Sequence, residues 1–211
     1  MPLTEPMTMA TDFALGALSA GWSMSLARIA RRDHQRSVAW WSASFASFAL
    51  ASIVGGAYHG FAHDLAPRTL TNLWTLVTLA MGLGSFLMLC AAIVAATASA
   101  WRRTLLAAAV IKLVLFAILV AGSESFLLLV LDYGTAQLAI LVLAAFSWQR
   151  ERAPSAPWLV AGIATSALGA VVQQSGFALH ANFNHNDIYH VIQMLGLYLL
   201  YRGGALFCDR A

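Results

Sequence analysis

The sequence predicts an all-α integral membrane protein, a seven-transmembrane helix bundle forming a single domain over residues 1–211, and three observations carry that expectation. Hydrophobic residues make up 60% of the chain and charged residues only 10%, where a soluble domain carries about a quarter. The apolar residues gather in seven runs, at 13–30, 37–60, 72–98, 104–121, 124–148, 158–180 and 187–207. Each is near the roughly 20 helical residues that cross a hydrocarbon core of about 30 Å. The basic residues fall in alternate connections between these runs and not on one face, so they report topology and give no reason to expect nucleic acid as a partner.

The runs are continuously apolar instead of alternating, which favours helices, whose amides are satisfied within each segment. Before the first run, twelve residues carry Glu5 and Asp12 and no base. A cleaved signal peptide begins with positive charge, so the run is expected to stay as a span. The second run ends in Tyr58-His59-Gly60-Phe61-Ala62-His63-Asp64. The third contains Gly82-Leu83-Gly84-Ser85, and the sixth Gly162 to Gly169, small residues that let helices approach closely. Lys112 in the fourth run and Asp132 in the fifth are ionisable groups in hydrocarbon, expected to face the bundle and to pair. Glu124 suits a helix start by its favourable interaction with the dipole. The seventh run opens with Asn184-His185-Asn186-Asp187-Ile188-Tyr189-His190. All five prolines lie in connections or at helix starts. Cys90 and Cys208 define no disulfide framework.

Arg28, Arg31, Arg32 and Arg36 join runs one and two, Arg102 and Arg103 join three and four, Arg150 and Arg152 join five and six, and Arg202 and Arg210 close the tail. By the positive-inside rule this side is cytoplasmic, the N-terminus is outside and the C-terminus inside. The expected localisation is the bacterial inner membrane, with the polar clusters of runs two and seven at the outer, periplasmic face.

Those clusters hold four of the six histidines. Neutral imidazole and carboxylate are zinc's usual nitrogen and oxygen donors, so the pattern points to a metal site; a hydrogen-bonded helix mouth is the plain alternative. His59 and His63 are four apart and share a face if the helix continues through Gly60. Asp187 and His190, three apart, also share a face. His185 and His190 are five apart and meet one metal only if His185 precedes the first turn, which an N-cap at Asn184, Asn186 or Asp187 allows.

A histidine ending the second of seven spans, with a polar pair opening the seventh, resembles the CREST superfamily of membrane hydrolases, which includes the alkaline ceramidases and the progestin and adiponectin receptors. The resemblance implies zinc held by the span-two histidine and an HxxxH pair of span seven, with a serine one turn before the first histidine and an aspartate at span three. By position His59 matches the first histidine and His190 the last. Asn186 replaces the earlier histidine of the pair, Gly55 stands at the serine position with Ser52 a turn further along, and Asp64 or Asn72 serves the aspartate.

The sequence therefore leads to a zinc-dependent intramembrane hydrolase of a lipid amide or ester. Its expected metal ligands are His59, His185 and His190, and Asp64 and Asp187 are its expected proton acceptors. His63, His180, Asn186 and Ser52 are further candidates. A membrane lipid is the expected substrate or ligand. The alternative is a non-catalytic, receptor-like bundle with a structural metal or polar site at its outer mouth. A transporter using Asp132 and Lys112 ranks behind both, because no pair of spans is interrupted as such sites require.

Overall fold

A computed structural model describes residues 3–121, 123, 125–180 and 183–210. Glu124 lies outside them. Among the described residues there are seven helices and no strand: α1 (Pro6–Asp33), α2 (Arg36–Phe61), α3 (Pro67–Ala96), α4 (Ser99–Ala121), α5 (Phe126–Glu151), α6 (Ala156–Ser175) and α7 (His185–Gly204). Pro6 and Pro67 open their helices and Pro157 sits in the first turn of α6, where a missing N–H is no loss.

Five helices, α2 to α6, are long and apolar enough to cross a membrane. α1 and α7 fall short, and the reason is physical. These two carry Thr8, Thr11, Asp12, Asp187, His190 and Gln193, and they pack against each other, so their polar groups meet inside the protein.

Neighbour contacts close a ring in the order α1, α2, α3, α5, α6, α7 and back to α1. Trp41, Phe45, Met88, Ile140, Leu200 and Leu26 fill its centre and are fully buried. α4 lies outside the ring against α3 and α5, with Ile111 and Ile118 exposed on its far side. Lys112 fastens it. Its Nζ donates to Asp132 Oδ1 of α5 at 2.5 Å and to Ser85 Oγ of α3 at 3.2 Å.

The two ends of the bundle are closed differently. At the arginine end α2 has no side-chain cap of its own. The tail supplies one: Asp209 accepts from Arg36 N at 2.7 Å, Ser37 N at 2.8 Å and Ser37 Oγ at 2.6 Å. A carboxylate is favoured there by the free amides and the helix dipole. Sequence reading assigned this residue no role. At the opposite, histidine end, Thr4 N and Glu5 N donate to the carbonyls of Gly60 and His59, tying the start of α1 to the end of α2.

Asp132→Asn strands the Lys112 charge, and the protein in detergent should lose on the order of 3 kcal/mol of stability. Thermal unfolding checks this, and the double variant Lys112→Met/Asp132→Leu should recover much of the loss. Asp209→Ala should cost about 1 kcal/mol, the typical value of a lost helix cap.

Candidate functional site

The site is assembled from the starts of α1 and α7 and the end of α2. Asn184 caps α7: its Oδ1 accepts from Asn186 N at 2.8 Å, while Asp187 Oδ2 accepts from Asn184 N at 2.7 Å. This reciprocal box fixes the helix start. It also places a carboxylate that is 1% exposed in the first turn, where the dipole favours an anion. Its other oxygen, Oδ1, is buried and has no hydrogen-bond partner among the described residues.

One turn further along, His190 lies between two residues of α1. Thr11 Oγ1 donates its single proton to Thr8 O at 3.0 Å. It must therefore accept in its 2.9 Å contact with His190 Nδ1, which makes Nδ1 the protonated nitrogen. His190 Nε2 is left facing Asp12 Oδ1 at 3.4 Å. Asp12 is 6% exposed, and a buried charge is stable only when paired or bound to a cation. A proton or a cation belongs between these two atoms.

Gly55 makes room for this arrangement. A Cβ there would stand 3.3 Å from Asp12 Oδ2 and 3.6 Å from Oδ1. At the position where the CREST resemblance places a serine, α2 is bare and the carboxyl of α1 fills the space. Four residues on, His59 Nδ1 meets Glu5 Oε2 at 2.8 Å. With Nδ1 engaged by Glu5, Nε2 is the nitrogen left for another partner. Both imidazoles thus have Nδ1 tied by a side-chain oxygen, from Glu5 at the N-cap of α1 and from Thr11 within it, as metal-ligating histidines have theirs tied by outer partners. His59 and Asp187 lie within electrostatic reach of His190, and Asp187 and Glu5 within reach of Asp12.

Asp12, His59 and His190 line a cavity of about 290 Å³ together with Ser52, Asn186 and Gln173. Gln173 Nε2 donates to Asn186 Oδ1 at 3.4 Å across it. Met81, Phe126 and Leu129 form its apolar wall, and the same three residues also line a second cavity between α5, α6 and α7. A polar chamber therefore adjoins an apolar groove.

The residues expected from sequence separate into two groups. His59, His190, Asn186 and Ser52 line the chamber. Asp187 is buried behind it. The others lie apart: α2 does run through Gly60, but it ends at Phe61, and His63 and Asp64 are exposed beyond it. His185 does not fold over the helix end. It is the first residue of α7, five before His190 and turned away from it, and it does not line the chamber. His180 pairs its backbone with Phe183 and also lies outside the chamber lining. Among the described residues no three His, Cys, Asp or Glu side chains stand close enough to hold a metal ion between them.

Asp12, Thr11 and Glu5 were missed as site residues. Asp12 had a signal: it is an acid at the very start of an apolar run, where a charge requires a partner. Thr11 and Glu5 had none, because their role depends on which face of α1 meets α7 and α2.

The chain belongs to a family of unknown function (DUF6962), whose model matches residues 7–209. No curated protein and no solved structure matches it.

If Thr11 holds the Nδ1 proton of His190, Thr11→Val leaves a buried donor unmet and should lower stability by about 1–3 kcal/mol. Thr11→Ser keeps the oxygen and should restore most of it. Equal melting temperatures for the two variants would remove Thr11 from the site.

Proposed function

We propose that this protein is an intramembrane hydrolase of a lipid ester or amide, with Asp12 and His190 as its acid–base pair. One observation carries the reading: a buried aspartate–histidine pair stands on the polar wall of a chamber whose opposite wall is apolar and continues into a groove. A scissile carbonyl needs the first, and its acyl chain needs the second. The accompanying topology is seven spans, with the N-terminus and the chamber on the outer side of a bacterial inner membrane and the arginine end in the cytoplasm. α1 and α7 count as spans because their polar groups face each other.

In this reading His190, with its Nδ1 proton held by Thr11, keeps the shared proton on Nε2 and leaves Asp12, which also lines the chamber, as the carboxylate that accepts a proton from the attacking water. His190 holds that carboxylate's orientation and balances its charge. Asp187, at the start of α7, adds negative potential behind the pair, so the accepted proton is kept on Asp12 until the leaving group takes it. Gln173 and Asn186 offer amide groups to a polar head, and Met81, Phe126 and Leu129 exclude water from the acyl side. Asp64, exposed beyond α2, takes no part.

Zinc is the proposed cofactor, and its fit is partial. Asp12, His59 and His190 supply one carboxylate and two imidazoles, a donor set zinc accepts, and both rings have the outer partners that metal ligands carry. The three donors are not gathered to ligand distance as they stand. When bound, zinc would supply the Lewis acidity that polarises a carbonyl and acidifies water. A second reading, a non-catalytic binding bundle, is favoured by one feature: His190 already has protein partners at both ring nitrogens.

Purified protein assayed with p-nitrophenyl myristate separates these. Asp12→Asn and His190→Ala should each lower turnover on the order of 100-fold, the usual weight of general acid–base catalysis. Elemental analysis should find zinc in the wild type and in His34→Ala, and little in His59→Ala or His190→Ala. Wild-type protein that hydrolyses no ester or amide lipid would leave the binding bundle as the function. Orientation is checked in a Cys208→Ser background: Arg68→Cys should react with an impermeant thiol reagent in intact cells and Arg32→Cys should not.

A further inference from the structure

The groove beside the chamber has a polar feature that hydrolysis does not use. Its volume is about 340 Å³, and its rim includes exposed Val130 and Leu138 of α5, so it opens on the side of the bundle. Its wall is largely apolar, yet Gln137 of α5, Ser166 of α6 and Gln193 of α7 all line it. They are 6%, 4% and 7% exposed, and Gln137 Oε1, Ser166 Oγ and Gln193 Oε1 are each buried with no hydrogen-bond partner among the described residues.

The three oxygens are unmet because the neighbouring donors are committed elsewhere. Gln193 Nε2 donates to Tyr189 Oη at 3.1 Å, and Gln137 Nε2 points to Met88 Sδ at 3.7 Å. Both amides therefore present their carbonyl oxygens as the free end. Tyr133 has its hydroxyl beside Gln137 and Ser166, and Ser166 carries a proton of its own, but two hydroxyl protons cannot satisfy three acceptors. At least one remains. Two of the three converge: a Cβ added at Gly196 would stand 2.7 Å from Ser166 Oγ and 3.2 Å from Gln193 Oε1, so both oxygens border the same small space.

Leaving a buried acceptor unmet costs about 1–3 kcal/mol each, so such groups are filled by water or by a ligand. The surrounding wall excludes most polar ligands and accepts a hydrocarbon. The site therefore fits an apolar chain that carries one hydrogen-bond donor at the depth of Gln193. Gln193 follows His190 by three residues, about 4.5 Å along the helix axis. The donor must lie close to the head-group end of the chain.

We propose that the groove between α5, α6 and α7 binds the hydroxylated acyl chain of a membrane lipid, with the chain hydroxyl donating its one proton to Gln193 Oε1. The inference rests on the hydrolase reading only for the identity of the head group. Binding of the chain is independent of turnover.

The test compares two probes, 3-hydroxytetradecanoic acid and tetradecanoic acid, bound to the full chain in detergent and followed by intrinsic fluorescence. Wild type should bind the hydroxylated chain about tenfold more tightly, the value of one good hydrogen bond to a buried acceptor. Gln193→Met removes the acceptor with little change in volume and should abolish the preference. Asp12→Asn should keep it, which separates this site from the catalytic reading. Equal affinity of wild type for the two acids would overturn the proposal and assign the three oxygens to water. A preference that survives in Gln193→Met would overturn it equally, by placing the hydroxyl elsewhere.

Discussion

A histidine buried between two helices must have both ring nitrogens satisfied, and His190 meets that requirement with two residues of a single helix. Thr11 takes the Nδ1 proton and Asp12 faces Nε2. Much of the bundle follows from this contact. It draws the start of α7 onto the start of α1 and closes the ring of six helices. α2 passes Asp12 at Gly55, where a Cβ would come within 3.3 Å of the carboxyl, and the two helices with the most polar residues are packed together. The Lys112–Asp132 pair plays a comparable part on the opposite side, fastening a peripheral helix by one desolvated charge contact.

The same constraint shapes the chemistry. An imidazole whose Nδ1 is tied presents Nε2 in a defined direction, and His59 is arranged in the same way by Glu5. Two rings so oriented, with a buried carboxyl between α1 and α7, make a site that can move a proton or hold a cation. The chamber then decides what reaches it. Its polar wall and apolar wall suit an amphiphile, and the groove it adjoins adds unmet acceptors at a fixed depth below the pair.

Much of the fold was legible in the sequence. Continuous apolar runs separated by short basic or proline-bearing connections defined seven helices whose observed bounds differ from the expected ones by up to seven residues, the most at the start of α1. Lys112 and Asp132 were recognisable as partners because charges in hydrocarbon have few alternatives. The site was legible in part. His59 and His190 stood out by their positions at helix ends, and the cap of α7 followed from Asn184 and Asp187. Asp12 was passed over because the apolar run was placed at 13–30, whereas α1 begins at Pro6 and carries Asp12 into the lining of the chamber. His63 and His185 showed the opposite error: histidine content drew attention, but a helix ending at Phe61 and one starting at His185 carry those rings away from the chamber. Asp209 could not be read at all, since its work as the cap of α2 depends on where the far end of the chain comes to rest.

The central claim is that Thr11 fixes the proton of His190 on Nδ1 and leaves Nε2 toward Asp12. Nitrogen-15 NMR of protein labelled at histidine, with His190 assigned by its loss in His190→Ala, measures this directly. The account predicts a protonated Nδ1 at neutral pH that persists in Thr11→Ser and is perturbed in Thr11→Val, with the Nε2 signal shifting in Asp12→Asn. A His190 ring protonated only on Nε2, with a bare Nδ1 and no response to Asp12→Asn, would contradict it.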